Sequence, residues 1–180
     1  SRWSGEVLYY SVGRSSTVLL VEQPNGLRLT TNGLPESVIP RGGPARVDAE
    51  PARWLGILPV LLRPELRDML VIGLGGGLTV GAVPSSVERV TVIELEEEVL
   101  RTHQWLASQR DDSPLHDPRV HVIVNDARGA LQLTNARFGA IVSQPSHPWT
   151  AGASHLYTRE FFELARSHLE RRALEEVLPA

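Results

Sequence analysis

The sequence predicts an α/β protein: a mostly parallel sheet covered by helices on both faces, preceded by a small antiparallel β element. Three observations predict it. Continuous apolar runs such as "DMLVIGL" and "VERVTVIEL" recur at helix-length intervals, the pattern of strands buried on two faces. The first of these runs ends in a cluster of glycines, Gly73 and Gly75 to Gly77, of the kind that turns a strand into a helix in doubly wound sheets. Ahead of them lie shorter apolar runs separated by hairpin signals.

Those shorter runs are "EVLYYSV", then "STVLLVE", the turn "PNG", then "LRLTT" and the pair Asn32-Gly33. Asn-Gly between apolar runs is a strong short-range hairpin signal, because both residues tolerate positive φ. The Pro- and Gly-rich stretch "PRGGPARVDAEPARW" then reads as a connector, with a helical piece from about Pro51 that Pro59 is expected to interrupt. The chain is thereby divided into residues 1–47, β element and connector, and residues 48–180, the parallel-sheet domain.

In the second part, strands are expected in "DMLVIGL", "VERVTVIEL", "RVHVIVN" and "FGAIVSQ". Between the second and third, Val99, Leu100, His103, Leu106 and Ala107 fall at helical spacing. Thr158 is placed to cap a helix running through "REFFELARSHLERRALEEVL", with Glu160 near its positive end. Four such strands are fewer than the roughly six of a complete doubly wound sheet, so its C-terminal strands are expected to be missing from this stretch. The uncovered edges make a homodimer a further expectation.

Composition removes several classes of chemistry. The 180 residues carry 18 basic and 21 acidic side chains, net charge -3, with no basic patch suited to nucleic acid or anionic lipid. Every basic residue is Arg, which excludes a lysine Schiff base and a Walker-type lysine. With no cysteine, thiolate nucleophiles and Cys-ligated metals are excluded as well. The six histidines show no paired metal-ligand spacing, so no metal is expected. The longest uncharged apolar stretch, Met69 to Val87, contains the glycine cluster and Pro84 and reads as strand and loop, not as a membrane span. A cytoplasmic location is expected, either free or as the cytosolic part of a larger membrane-associated protein.

Candidate ligand residues sit at the ends of successive strands. Glycines at 73, 75 and 77 let backbone approach a ligand without Cβ clashes, and Glu94 closes the next strand about 20 residues on, where an acid can accept the hydroxyl protons of an adenosine ribose. The third glycine of a dinucleotide fingerprint would fall at Leu78, so a dinucleotide is not expected. Asp126, after the third strand, is either a ligand for an adenine amine or the cap of the helix that follows. After the fourth strand comes "SQPSHPW", with Gln144 and His147. His147 is a base near neutral pH or a hydrogen-bonded loop residue; Gln144 cannot act as a base.

These segments resemble the polyamine aminopropyltransferases of spermidine synthase type, within the Rossmann-like fold of S-adenosylmethionine-dependent methyltransferases. The resemblance runs through "STVLLVEQPNGLRLTTNG", "LVIGLGGGLTV", "VIELEEEVL", "NDARGAL" and "PSHPWTAGASHLYTREFFELAR". The last segment looks most like spermidine-synthase-like domains that some bacteria attach to membrane transporters. It implies that Gly73, Gly75 and Gly77 line a thioether nucleoside, that Glu94 holds its ribose and that Asp126 faces its adenine. It further implies S-adenosylmethionine or its decarboxylated form as substrate, and an amine as the partner in aminopropyl transfer.

Departures from the family pattern qualify the reaction. Active members carry Asp where this chain has Gly76, and an acidic loop where it reads "QPSHP", so Gln144 and His147 stand at the two Asp positions; "EPARWLG", with Arg53, replaces a Tyr-His-Glu segment. A polyamine needs several carboxylates to replace the hydration of its ammonium groups, and their replacement counts against polyamine synthesis. The expected function is therefore binding of S-adenosylmethionine, its decarboxylated form or methylthioadenosine, with aminopropyl transfer as the inherited reaction. The alternatives are methyl transfer from intact S-adenosylmethionine and a non-catalytic ligand-sensing or scaffold domain.

Overall fold

The computed structural model describes residues 5–40, 50–143 and 154–170. Its first unit is a four-stranded antiparallel meander, β1 (Val7–Val12), β2 (Thr17–Gln23), β3 (Gly26–Thr31) and β4 (Leu34–Ile39), in sequential order. The hairpin between β3 and β4 turns on Asn32 at φ 51° and Gly33 at φ 76°, the positive pair that the Asn-Gly signal anticipates. Val18, Leu20, Leu27, Leu29 and Ile39 are buried and make up one face of the meander.

That face closes onto the second sheet. The helix α1 (Glu50–Leu62) leads into β5 (Asp68–Ile72), the glycine turn and the short helix α2 (Leu78–Gly81); then come β6 (Arg89–Glu94), α3 (Glu97–Ala107), β7 (Val120–Val124), α4 (Ala127–Gln132), β8 (Ala140–Ser143) and α5 (Arg159–Ser167). The strands are parallel in the order β7-β6-β5-β8. Strand order therefore reverses beside β5, and in open α/β sheets the crevice for a ligand lies at the carboxyl ends there.

Alternation along β5 accounts for the sheet's two covered faces. Met69 and Val71 join the core shared with the meander, whereas Leu70 and Ile72 pack with Ala127, Leu131, Phe138 and Phe161 from the α4 and α5 side. The edge strand β7 is less covered, with Ile123 and Val124 exposed; among the described residues β6 is its one neighbour in the sheet.

Two helix expectations need correction. Pro59 does not interrupt α1, which runs through it to Leu62; the N–H bond that proline forfeits is offset by packing, since Val60 is buried and Gly56 lies so close to α2 that a Cβ there would come within 2.5 Å of the Thr79 carbonyl. The helix capped by Thr158 ends at Ser167, not in the C-terminal tail. Immediately afterwards Leu169 bridges Phe138 in parallel, and Phe138 N–H donates to His168 O at 2.9 Å, which pulls the chain into extended pairing along the sheet. The expected division at residue 47 falls outside the described residues.

Candidate functional site

A cavity of about 760 Å³ opens at the carboxyl ends of β5, β6 and β8, with the antiparallel meander as its opposite wall; sites for small ligands run to roughly 300–1,000 Å³. Its floor is the glycine turn. Gly73, Gly75 and Gly77 have φ of 93°, 49° and 76°, a region L side chains rarely enter. A Cβ on Gly73 or Gly75 would meet no atom of the described residues within 4 Å, so no described side chain plugs the turn. Gly76 differs: a Cβ there would fall 2.0 Å from Ser37 Oγ of β4.

Glu94 closes β6 beside this turn and is buried. Its Oε2 accepts from Leu74 N–H at 2.8 Å and its Oε1 from Glu96 N–H at 2.9 Å. Burial pushes the carboxyl upward from its ordinary pKa, against the pull of the backbone N–H groups of Glu96, Leu74 and Gly75. A carboxylate offers about four acceptor positions, and these backbone bonds do not exhaust them. Glu94 is thus an oriented acceptor at the cavity wall.

The turn is braced from behind by His103. Its ring is fully buried in α3 and its Nε2 lies 2.8 Å from Gly75 O. A carbonyl can only accept, so Nε2 carries the proton. Burial lowers the imidazole's pKa, despite that bond, and the Arg110 charge lowers it too. Sequence periodicity placed His103 on the core face of this helix but gave it no part in the turn.

A second acid was missed. Glu96, which the sequence did not single out, accepts from Ser15 Oγ at 2.9 Å and Ser16 Oγ at 2.8 Å. Burial acts to raise its pKa, but the Ser16 and Ser15 hydroxyl bonds outweigh it and hold the carboxyl below its ordinary value. No local pattern marks a contact across 80 residues of sequence; two adjacent serines in a hairpin turn were the sole hint.

Asp126 lines the same cavity and also caps α4, Oδ2 accepting from Gly129 N–H at 2.8 Å. The two sequence readings of this residue are compatible, because capping occupies one oxygen. Gly73, Gly75, Glu94 and Asp126 are brought together on the cavity wall, while Gly77 lies just beneath as the N-terminal cap of α2. Gln144 and His147 lie outside the described residues. Arg53, on α1, is partly buried.

Comparison with known proteins agrees with this architecture. Residues 52–174 match the spermine/spermidine synthase domain. A polyamine aminopropyltransferase 2 of Pseudomonas aeruginosa is 30% identical over 168 residues, 91% of this chain and 46% of that protein. A polyamine aminopropyltransferase of Synechococcus sp. is 34% identical over 107 residues, 58% of this chain and 34% of its own length. A spermidine synthase solved in complex with the transition state analogue AdoDATO superposes with a TM-score of 0.78 at 21% identity, covering 91% of this chain and 55% of its own. The chain thus spans half or less of the length of these curated relatives. No described helix is long and apolar enough to cross a membrane. With the domain match extending over most of its residues, the chain belongs to the spermine/spermidine synthase family.

Proposed function

We propose that the cavity binds the nucleoside of S-adenosylmethionine, its decarboxylated form or methylthioadenosine, and that aminopropyl transfer to an amine is the reaction this site inherits. The observation that carries the reading is the juxtaposition of an open glycine turn with the buried, backbone-oriented carboxylate of Glu94 on one cavity wall. The acceptor positions of Glu94 that its backbone bonds leave over accept the ribose hydroxyls, and Asp126 Oδ1, the oxygen that does not cap α4, accepts from the adenine amine. The spermidine synthase complex with AdoDATO, of the same fold, supports the ligand class.

Transfer of an aminopropyl group forms a C–N bond while the C–S bond to the sulfonium breaks; the thioether nucleoside leaves and the amine gives up a proton. The nucleophile must be neutral and held in line. Gln144 is proposed to orient it, and His147 is the side chain of that loop able to take the proton. Polyamines are poor candidates for the acceptor, because Gly76, Gln144 and His147 supply no carboxylate for a second ammonium group.

One observation favours methyl transfer as a second reading. Ser37 sits where a side chain on Gly76 would project, so that part of the wall offers a neutral hydroxyl and would not repel the carboxylate of intact S-adenosylmethionine. Titration calorimetry with the three nucleosides separates the readings. Binding of methylthioadenosine with preference for decarboxylated S-adenosylmethionine supports aminopropyl transfer; preference for the intact form supports methyl transfer. Binding of none removes both.

A further inference from the structure

Glu96 is joined to both walls of the cavity at once. On the side of the meander, its Oε2 accepts from Ser15 Oγ at 2.9 Å, Ser16 Oγ at 2.8 Å and Ser15 N–H at 3.3 Å. Gly13, in the same β1–β2 turn, lies so close that a Cβ there would come within 2.1 Å of Glu96 Oε1, so the turn is shaped to this carboxylate. On the side of the parallel sheet, Glu96 caps α3, its Oε1 taking Glu98 N–H at 3.5 Å, while its backbone N–H donates to Glu94 Oε1 at 2.9 Å. Ser15, Ser16, Glu94 and Glu96 all line the cavity, and the Glu96 side chain is buried.

A buried carboxylate is costly unless its lone pairs are satisfied. The β1–β2 turn supplies that satisfaction, so displacing the turn leaves Glu96 short of donors, and displacing Glu96 moves the N–H that orients Glu94. We propose that Glu96 is a positioning residue for the ligand: it anchors the β1–β2 turn as the cavity wall beside the sugar and, through its own backbone, fixes the direction of the Glu94 carboxylate. This deepens the nucleoside reading above and rests on it. The position of the wall and recognition of the sugar are thereby coupled.

The test compares methylthioadenosine with its 2′,3′-dideoxy analogue, which has no hydroxyl to give to Glu94. In Glu96→Ala, affinity for methylthioadenosine is expected to fall roughly tenfold, as for loss of one well-made bond to a charged group, while affinity for the analogue changes less than about twofold. Glu96→Gln, which keeps an acceptor oxygen for the serine hydroxyls, is expected to recover most of the loss. Equal weakening of both ligands, or none of either, overturns the proposal and leaves the nucleoside site standing. Failure of the unaltered protein to bind methylthioadenosine removes the site and the proposal together. Should Glu96→Ala not fold, Gly13→Ala presses a methyl against the intact carboxylate and must show the same sugar-dependent loss; a uniform loss overturns the proposal.

Discussion

The two walls of the cavity are held by different kinds of interaction. Along the parallel sheet the wall is defined by backbone: three glycines at positive φ, a carbonyl held by His103, and a carboxylate gripped by backbone N–H groups. Along the meander it is defined by side chains meeting across long sequence separations, Ser15 and Ser16 on Glu96, and Ser37 on Gly76. The backbone wall depends on conformations only certain residues adopt. The meander wall depends on partners found only after the chain has folded.

The largest effect is expected on the backbone wall. Gly77 has φ 76°, and a Cβ there would come within 2.8 Å of Pro114 Cγ and 3.0 Å of His103 Cε1. Gly77→Ala combines left-handed strain with overpacking and is expected to cost roughly 2–4 kcal/mol in urea unfolding. An unchanged midpoint would show that the turn is not the fixed element described.

Next is Glu94→Gln, which exchanges one charged acceptor for an amide nitrogen that cannot accept. Methylthioadenosine affinity is expected to drop about 10- to 100-fold, as for loss of hydrogen bonds to a charged group. The same residue sets a pH dependence. Its folded pKa is raised by burial, so protonation begins above the ordinary glutamate range, and affinity should decline there as pH falls. For stability the sign is opposite: a raised carboxyl contributes stability below its unfolded value and loses it as pH rises through the folded one. Glu96, whose pKa is lowered, contributes stability above its unfolded value and loses it only at lower pH. Ligand affinity should therefore weaken on acidification before this anchor does, as calorimetry and thermal melts across acid pH would check.

A smaller effect sharpens the contrast between the walls. Gly76→Ala alone drives a methyl toward Ser37 Oγ; adding Ser37→Gly should recover about 1–2 kcal/mol of the cost, a coupling typical of residues in contact. Simple additivity would mean that the walls do not touch there. Least is expected of Asp126→Asn, since Asn caps a helix nearly as well as Asp: the melting temperature should barely move, while Asp126→Ala loses about 1 kcal/mol.

What was legible in the sequence follows the same division. Gly73, Gly75 and Gly77 and the Asn32-Gly33 hairpin announce themselves because positive φ demands those residues, and Glu94 by closing the next strand at a set spacing from the glycines. The anchoring role of Glu96 and the brace from His103 could not be read, since each depends on a partner from a distant segment. Pro59 misled for a related reason: the tight packing of Gly56 on α2 is tertiary, and it sustains a helix that local rules would break. The extent of α5 was overestimated because the pairing of Leu169 with Phe138 competes with helix continuation and leaves no trace in periodicity.

The most direct test is a crystal structure with methylthioadenosine bound. The account predicts both ribose hydroxyls within hydrogen-bond distance of the Glu94 carboxylate and the sulfur side of the ligand over the glycine turn. A nucleoside seated elsewhere, with Glu94 bonded only to the backbone of Leu74 and Glu96, would contradict it.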